Sequence, residues 1–290
     1  MLLPHPVFAR HETFHPRFGW LKKGFDAATR DPEIFSRDDG PVALGVGKNM
    51  VHSIRYWCSA FKVIADDKPT DFGEKLLGNE GWDPFLEAPA SLWWLHWKLL
   101  EAPCNATAWY FVFYLFRQVE FSSGELLDAL AKYAETQEIR IAESSLKKDI
   151  SCILRMYADV DTNKRNLIED SINCPFAELG LIESGGKSKH YNFRVGSKNN
   201  LPPEIIGAAC LEFAGRVGEQ KTISISKLCY ETGSPGLAFK LPESAICEAI
   251  ETVGGSFDGV RLSESGGLVQ LSFTEEPVQL AETILDFYYS

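Results

Sequence analysis

The first group of residues with chemical potential lies near the N-terminus of this 290-residue chain, where Arg10-His11-Glu12 is followed by His15 and Arg17. An imidazole base beside guanidinium groups could act on a phosphodiester without a metal, with the cations stabilising the charge that develops on the phosphorane. We therefore predict His11, Glu12 and His15 as catalytic residues. The alternative is that this segment is an ordered arm that ties down the N-terminus.

His11-Glu12-x-x-His15 also matches the pattern of zinc proteases, which places both histidines on one face of a helix. The proline that follows His15 biases that residue away from the helical conformation, so the protease interpretation is rejected. Elsewhere no spacing of His, Cys, Asp or Glu indicates a metal site, and we assign no metal ligands. A divalent metal is expected as a cofactor if the chain is a metal-dependent nuclease.

The segment after residue 44 predicts a helix-turn-helix-like element, with a Gly-Val-Gly turn and then a helix from about 48 to 64. Its apolar face would contain Met50, Ile54, Trp57, Phe61 and Ile64. Its opposite stripe would contain Lys48, His52, Arg55, Ser59 and Lys62. That stripe has cations and no acid, so it suits contact with phosphates and base edges, although a solvated polar face is the alternative.

Further cations lie on a short helix near residues 18–28, on a helix over 144–157 and in a hairpin over 187–198. On the 144–157 helix, Ser144, Lys148, Ser151 and Arg155 share one stripe. The predicted DNA-contacting residues are Arg10, Arg17, Lys22, Lys23, Lys48, Asn49, His52, Arg55, Lys147, Lys148, Arg155 and Arg194.

These elements predict a mainly α fold with short β-hairpins and several winged-helix-like units. We divide the chain into a basic helix-turn-helix-like unit (1–104), a middle winged-helix-like unit (105–200) and an acidic helix-hairpin unit (201–290). The middle unit would have a Ser122 cap, two helices, an acidic linker over 159–170 and a basic hairpin. In the last unit Glu243, Glu248 and Glu251 would repel phosphates, so we expect it to face protein or to be structural.

The composition limits how the chain can bind nucleic acid. The formal net charge is −11 and the isoelectric point is about 5.1, so binding would use local basic patches and would be sensitive to salt. The seven scattered cysteines include no CxxC, which predicts reduced thiols and a cytoplasmic location. No signal peptide or membrane-spanning run is recognised, and no membrane contact is expected.

Several motifs taken together resemble a bacterial and archaeal family catalogued as a domain of unknown function. They include Arg10-His-Glu-Thr-Phe14, Phe18-Gly-Trp-Leu-Lys-Lys23, Leu44-Gly-Val-Gly-Lys-Asn-Met-Val51, Ile54-Arg-Tyr-Trp-Cys58 and Ser145-Leu-Lys-Lys-Asp149. Members of that family occur with DNA phosphorothioation genes, and one branch is the B component of the Ssp defence system, described as a DNA-nicking enzyme. The resemblance covers essentially the whole chain and implies DNA as substrate or ligand.

The resemblance therefore implies a DNA-binding component of a phosphorothioate modification and anti-phage defence system that nicks one strand. One alternative is a non-enzymatic winged-helix regulator or scaffold that recruits modification enzymes. Another is an interaction protein whose basic helices bind an acidic partner. The expected partners are double-stranded DNA and sulfur-transfer or modification proteins of the same pathway, and a homodimer is left open.

Overall fold

The computed structural model of the chain describes residues 6–158, 174–185, 189–219 and 221–290, and it divides into two compact units, Met1–Phe193 and Arg194–Ser290. The unit boundary at 193/194 lies close to the division that we predicted at 200. Our division at 104 falls inside the first unit. The acidic linker over 159–170 and the start of the predicted hairpin at 187 lie outside the described residues.

The first unit is mainly helical. Its helices are α1 (Trp20–Arg30), α2 (Gly40–Leu44), α3 (Lys48–Ala60), α4 (Asp71–Leu77), α5 (Pro89–Leu100), α6 (Thr107–Tyr110), α7 (Ser123–Thr136) and α8 (Glu143–Tyr157). A π-helical turn, Phe111–Leu115, continues α6, and a 3₁₀ helix spans Pro175–Leu179. Its strands are β1 (Ile64–Ala65), β2 (Lys68–Pro69), β3 (Glu120–Ser122), β4 (Ile182–Ser184) and β5 (His190–Phe193).

Helix α3 has the amphipathic character that its sequence predicts. Ile54, Trp57 and Phe61 are fully buried, while Lys48 and His52 are exposed. The helix ends at Ala60 and not near 64, because Phe61 leaves the helical conformation and Lys62 takes a left-handed φ of 63°. A short helix, α2, begins at Gly40 and contains Pro41, since proline is tolerated in the first turn of a helix.

Helix α5 forms the aromatic core of the unit. Trp93, Trp94 and Trp97 are almost completely buried, and the His96 ring contacts the Tyr157 hydroxyl at 2.8 Å. The tryptophan-rich segment therefore packs in the core, and His96 is a hydrogen-bonded core residue and not an exposed base.

The middle of the chain has the predicted order of helices followed by a hairpin. The π-helical turn ends at Leu115, and the chain then enters β3. Ser122 and Glu125 form the predicted capping box at the start of α7. Strands β3, β5 and β4 form an antiparallel sheet in that order. Val195, expected to point inward with Phe193, is 56% exposed because β5 ends at Phe193.

The second unit repeats a similar order of elements. It contains α9 (Pro203–Arg216), β6 (Thr222–Ser224), α10 (Ile225–Tyr230), α11 (Pro235–Phe239), α12 (Glu243–Gly254), β7 (Val260–Ser265), β8 (Leu268–Phe273) and α13 (Pro277–Tyr289). The strands pair in the order β6-β8-β7. Glu243, Glu248 and Glu251 lie on exposed positions of α12. The predicted mainly α fold with short hairpins is confirmed, while the winged-helix-like character of its units stays a prediction.

A buried lysine stabilises the beginning of this unit. Lys198 Nζ donates hydrogen bonds to the carbonyls of Gly196 at 2.6 Å and Phe239 at 3.1 Å. Burial lowers the pKa of Lys198 to about 8. No helix within the described ranges combines the length and hydrophobicity needed to cross a bilayer.

Substitutions on the two faces of α3 test which face is buried. Trp57 is fully buried and its indole Nε1 donates to the Phe14 carbonyl at 3.0 Å, so Trp57→Ala should lower the free energy of unfolding by roughly 3–5 kcal/mol. Lys48→Ala, on the exposed face of the same helix, should change it by less than about 0.5 kcal/mol. All seven tryptophans precede residue 110, so tryptophan fluorescence during urea unfolding follows the first unit. Equal losses in the two variants would contradict this orientation of α3.

Candidate functional site

The N-terminal segment, residues 7–15, is bonded to three helices of the first unit. The Val7 amide donates to Thr107 Oγ1 of α6 at 2.7 Å. Ser53 Oγ of α3 donates to the His11 carbonyl at 3.0 Å. Arg155 of α8 donates to the Thr13 carbonyl at 2.7 Å. These bonds hold the segment against the helices of the first unit. The segment thus has the form of the ordered arm that was the alternative to a catalytic role.

The segment turns and does not form a helix. Ala9, Glu12 and Thr13 all have positive φ values, of 53°, 49° and 70°. Such values are uncommon for residues other than glycine, and a helix cannot contain them. The zinc-protease pattern therefore lacks the helix that its chemistry needs, as the sequence indicated.

His11 and Asp149 form a buried pair beneath this turn. Both side chains are at most 1% exposed, and His11 Nε2 lies 2.8 Å from Asp149 Oδ1. The same carboxylate accepts the Ala9 amide at 2.9 Å. Burial raises the pKa of the Asp149 carboxyl, although the hydrogen bond with His11 acts in the opposite direction. His11 also packs against the rings of Trp57 and Trp109, so it has no route to a substrate on the surface.

The turn sends the neighbours of His11 outward. Arg10 and Glu12 are exposed, and with His52 and Arg55 of α3 and with Asp66 and Asp67 they line an open cleft of about 470 Å³. We call it the α3 cleft. It brings together four residues that we predicted as catalytic or DNA-contacting, from segments about 40 residues apart. It also contains two carboxylates that the sequence did not identify.

Those two carboxylates occupy an unusual hairpin turn. Strands β1 and β2 are joined by Asp66 and Asp67 alone, with φ values of 49° and 61°. A two-residue turn with both φ values positive favours Asn-Gly or Gly-Gly, and here neither residue is glycine. Arg55 donates to both carboxylate oxygens of Asp67, at 2.6 and 2.5 Å. Backbone strain of this kind clusters at functional sites, and here it presents two acids in the α3 cleft.

The other residues that we predicted as catalytic or DNA-contacting among the first 50 lie outside the α3 cleft. His15 is buried at 3% exposure, and Arg17 stacks over the rings of Phe14 and Trp20. Lys22 donates to Asp26 at 2.8 Å and to the Leu77 carbonyl, and Lys23 donates to the Leu44 carbonyl. Lys48 and Asn49 are exposed at the start of α3.

A second open cleft, of about 570 Å³, lies between α7, α8 and the β4–β5 hairpin. We call it the α7–α8 cleft. Lys147 and Arg155 line it, and the sequence analysis missed Lys189, which also lines it. The predicted stripe of α8 is exposed, including Lys148, which does not line the cleft. Arg194 is exposed but belongs to the second unit.

Comparisons with known proteins identify relatives of the chain. The sequence profile of a family described as "Protein of unknown function (DUF4007)" matches residues 8–289. The chain belongs to this family. Two solved structures, described as "SspB crystal structure" and "Magnesium ion-bound SspB crystal structure", are each 40% identical to it. Each alignment covers 98% of this chain and 88% of the other, with a TM-score of 0.91. The search of curated proteins gave no match.

The family membership is what the motifs of the sequence analysis implied. Similarity to SspB is consistent with a component of a phosphorothioation system. The magnesium in one SspB structure raises the question of whether this chain could hold the ion. In the parts of the chain that the structure describes, no three His, Cys, Asp or Glu residues are grouped as a metal site. Mg²⁺ usually takes one or two carboxylates together with waters and substrate phosphates, so the carboxylates of the α3 cleft suit it.

The buried pair makes the stability of the chain depend on pH. Because the pKa of Asp149 is raised above its ordinary value of 3.8, the folded state binds this proton up to a higher pH than the unfolded state. The contribution of Asp149 to the free energy of unfolding is therefore greatest below its ordinary pKa. It falls as pH rises from there through the raised pKa of the folded state. Asp149→Asn keeps an acceptor for Ala9 but cannot ionise.

We expect the stability advantage of the wild type over Asp149→Asn to shrink as pH rises from about 4 toward neutrality, as measured by urea unfolding at each pH. The control Lys132→Ala removes no carboxyl group and should keep the wild-type trend. An advantage that grows with pH would show that the ion pair with His11 outweighs burial.

Proposed function

We propose that this chain is a DNA-binding component of a phosphorothioate modification and defence system, and that it nicks one strand of double-stranded DNA. The proposal rests on the α3 cleft, which gathers carboxylates and cations on one open surface of a chain 40% identical to SspB. It also rests on the resemblance through which nicking entered the sequence analysis.

The cations of this surface would hold the DNA backbone. Lys48 and His52 lie one helical turn apart on the exposed face of α3, and Arg10 lines the same cleft as His52. Half or more of the hydrogen bonds in protein–DNA interfaces go to phosphate and sugar, and they set the register of the protein on the duplex. A chain with a net charge of −11 needs such a local concentration of cations to bind DNA.

The carboxylates would supply the chemistry. Glu12 and Asp66 are both exposed in the α3 cleft, where each could orient an attacking water or accept its proton. Glu12 or Asp66 would hold Mg²⁺ as a carboxylate ligand, beside waters and the substrate phosphate. The bound ion would act as a Lewis acid on the scissile phosphate. Arg55 fixes the Asp67 carboxylate in place through its two hydrogen bonds.

His11 has a different role in this proposal from the one that we expected. Its ring is fully buried and hydrogen-bonded to Asp149, so it would position the turn that presents Arg10 and Glu12. His15 is also buried and would support the same segment. Of the three predicted catalytic residues, we therefore retain Glu12 as a catalytic candidate and treat the two histidines as positioning residues.

The nicking activity can be tested with supercoiled plasmid and purified protein, with Mg²⁺ or with a chelator. We expect nicked circles with Mg²⁺, and Glu12→Gln and Asp66→Asn should each slow nicking by about 100-fold or more, since each removes a base or metal ligand. Asparagine tolerates the left-handed conformation, so Asp66→Asn should preserve the hairpin turn. The control is Asp38→Asn, on an exposed turn outside the cleft.

Full nicking by both cleft variants would exclude the α3 cleft as the site of cleavage. The absence of nicking by the wild type with Mg²⁺, Mn²⁺ or neither would remove the enzymatic part of the proposal.

DNA binding through α3 can be tested separately from cleavage. A salt series of duplex binding should show lower affinity for Lys48→Ala at every sequence, and a salt dependence that is flatter by about one counterion unit. Arg55→Ala should weaken binding further, because it also leaves the Asp67 carboxylate without its partner beside the phosphates. Lys132→Ala, exposed on α7 and outside both clefts, is the charge-matched control. Equal salt slopes for all four proteins would contradict binding by α3.

A non-enzymatic DNA-binding scaffold is the second candidate. The observation in its favour is the order of β3, α7, α8 and the β4–β5 hairpin, which is the order of a winged helix, with exposed Lys148 and Arg155 on the second helix. Tight, salt-sensitive duplex binding by a wild-type protein that nicks no plasmid would support this function over the first.

A further inference from the structure

We propose that the α7–α8 cleft binds an unstacked nucleotide, with the base against its apolar floor and the phosphate at its cationic rim. The cleft has a volume of about 570 Å³, which lies within the range of small-molecule sites. None of its lining residues lines the α3 cleft. The proposal goes beyond cleavage to a second site, and it depends on the proposed function for DNA as the source of the nucleotide.

The floor of the cleft suits the face of a base. Leu127, Ile150 and Leu154 contribute aliphatic surface from two helices, and Tyr191 adds an aromatic ring from β5. The Tyr191 ring is itself supported by the buried Phe121, with ring centres 6.1 Å apart and an interplanar angle of 29°. Bases stack on such aromatic and apolar surfaces with little dependence on sequence.

The rim of the cleft suits a phosphate. Lys147, Arg155 and Lys189 line it, and among the residues that the structure describes no Asp or Glu lines it. Arg155 donates to the carbonyls of Ser151 and Thr13, which leave its charge uncompensated. Lys147 pairs with Glu143, but both side chains are more than half exposed, so a bound anion can compete for the ammonium.

The serines of the cleft supply polar groups between the floor and the rim. Ser123 at the start of α7, Ser151 on α8 and Ser184 on β4 all line it. Hydroxyl groups can donate or accept, so they can meet the edge of any base. The combination of apolar floor, hydroxyls and one sign of charge favours a nucleotide over an acidic peptide, because a peptide would bring a hydrogen-bonding backbone to the apolar floor.

The test uses a short single-stranded oligonucleotide with one 2-aminopurine, and dAMP as a free-nucleotide competitor. We expect the full-length protein to bind the oligonucleotide with a change in 2-aminopurine fluorescence. Ser151→Trp should fill the cleft from an exposed helical position and weaken binding at least about tenfold. Lys147→Ala should weaken it and flatten its salt dependence, while Lys132→Ala should not. Thermal unfolding checks that Ser151→Trp is folded.

The possible outcomes distinguish nucleotide binding in the α7–α8 cleft from cleavage in the α3 cleft. Competition by dAMP would identify a site for free nucleotides, and competition by oligonucleotides alone would identify a site for a strand. Asp38→Asn, on an exposed turn outside both clefts, should bind the oligonucleotide like the wild type. Fluorescence changes with a wild-type protein that nicks no plasmid would remove only the nicking activity from the proposed function and leave this inference standing. Unchanged binding by a folded Ser151→Trp, or binding of acidic peptides in place of nucleotides, would overturn the inference.

Discussion

The buried contact between His11 and Asp149 is the constraint on which the candidate site depends. A carboxyl group at 1% exposure is costly unless its oxygens are hydrogen-bonded, and Asp149 shares a hydrogen bond with the His11 ring and accepts one from the Ala9 amide. Those two bonds join the N-terminal segment to α8. The same segment is joined to α3 through Ser53 and Trp57. These hydrogen bonds therefore hold the N-terminal segment, α3 and α8 in fixed positions relative to one another, although the three are far apart in sequence.

The attachment of the N-terminal segment through His11 explains why buried and exposed residues alternate there. With His11 fixed inward, the left-handed residues on both sides of it, Ala9 and Glu12, leave Arg10 and Glu12 exposed to solvent beside α3. Across the cleft, the strained Asp66-Asp67 turn is supported by Arg55. Two strained segments that face one cleft are costly unless the surrounding structure holds them, which the buried pair and the ion pair do.

The charge on exposed helix faces differs between the first and the second unit. The chain is acidic overall, but the exposed faces of α3 and α8 present lysine, histidine and arginine from the first unit. In the second unit acids outnumber bases, and the corresponding helix α12 exposes glutamates. The exposed stripe of α8 and that of α12 thus carry opposite charge, although both units contain more acids than bases.

The sequence by itself determined the elements whose cause is local. The periodicity of α3 and α8 and the cap at Ser122 follow from neighbouring residues, and the motifs identified the family. The end of α3, the π turn after α6 and the start of α2 were less predictable, since packing decides where a helix stops.

Tertiary structure decided which chemical groups meet. Asp149 lies at an inward position of a basic helix, and nothing in its neighbours indicates that it binds His11 138 residues away. The pairing of Arg55 with Asp67 and the gathering of Glu12, His52 and Asp66 depend on how the N-terminal turn and the β1–β2 hairpin pack against α3. Sequence patterns give the type of each side chain and its face on an element. The distance between side chains on different elements is set by core packing, which a single sequence does not reveal.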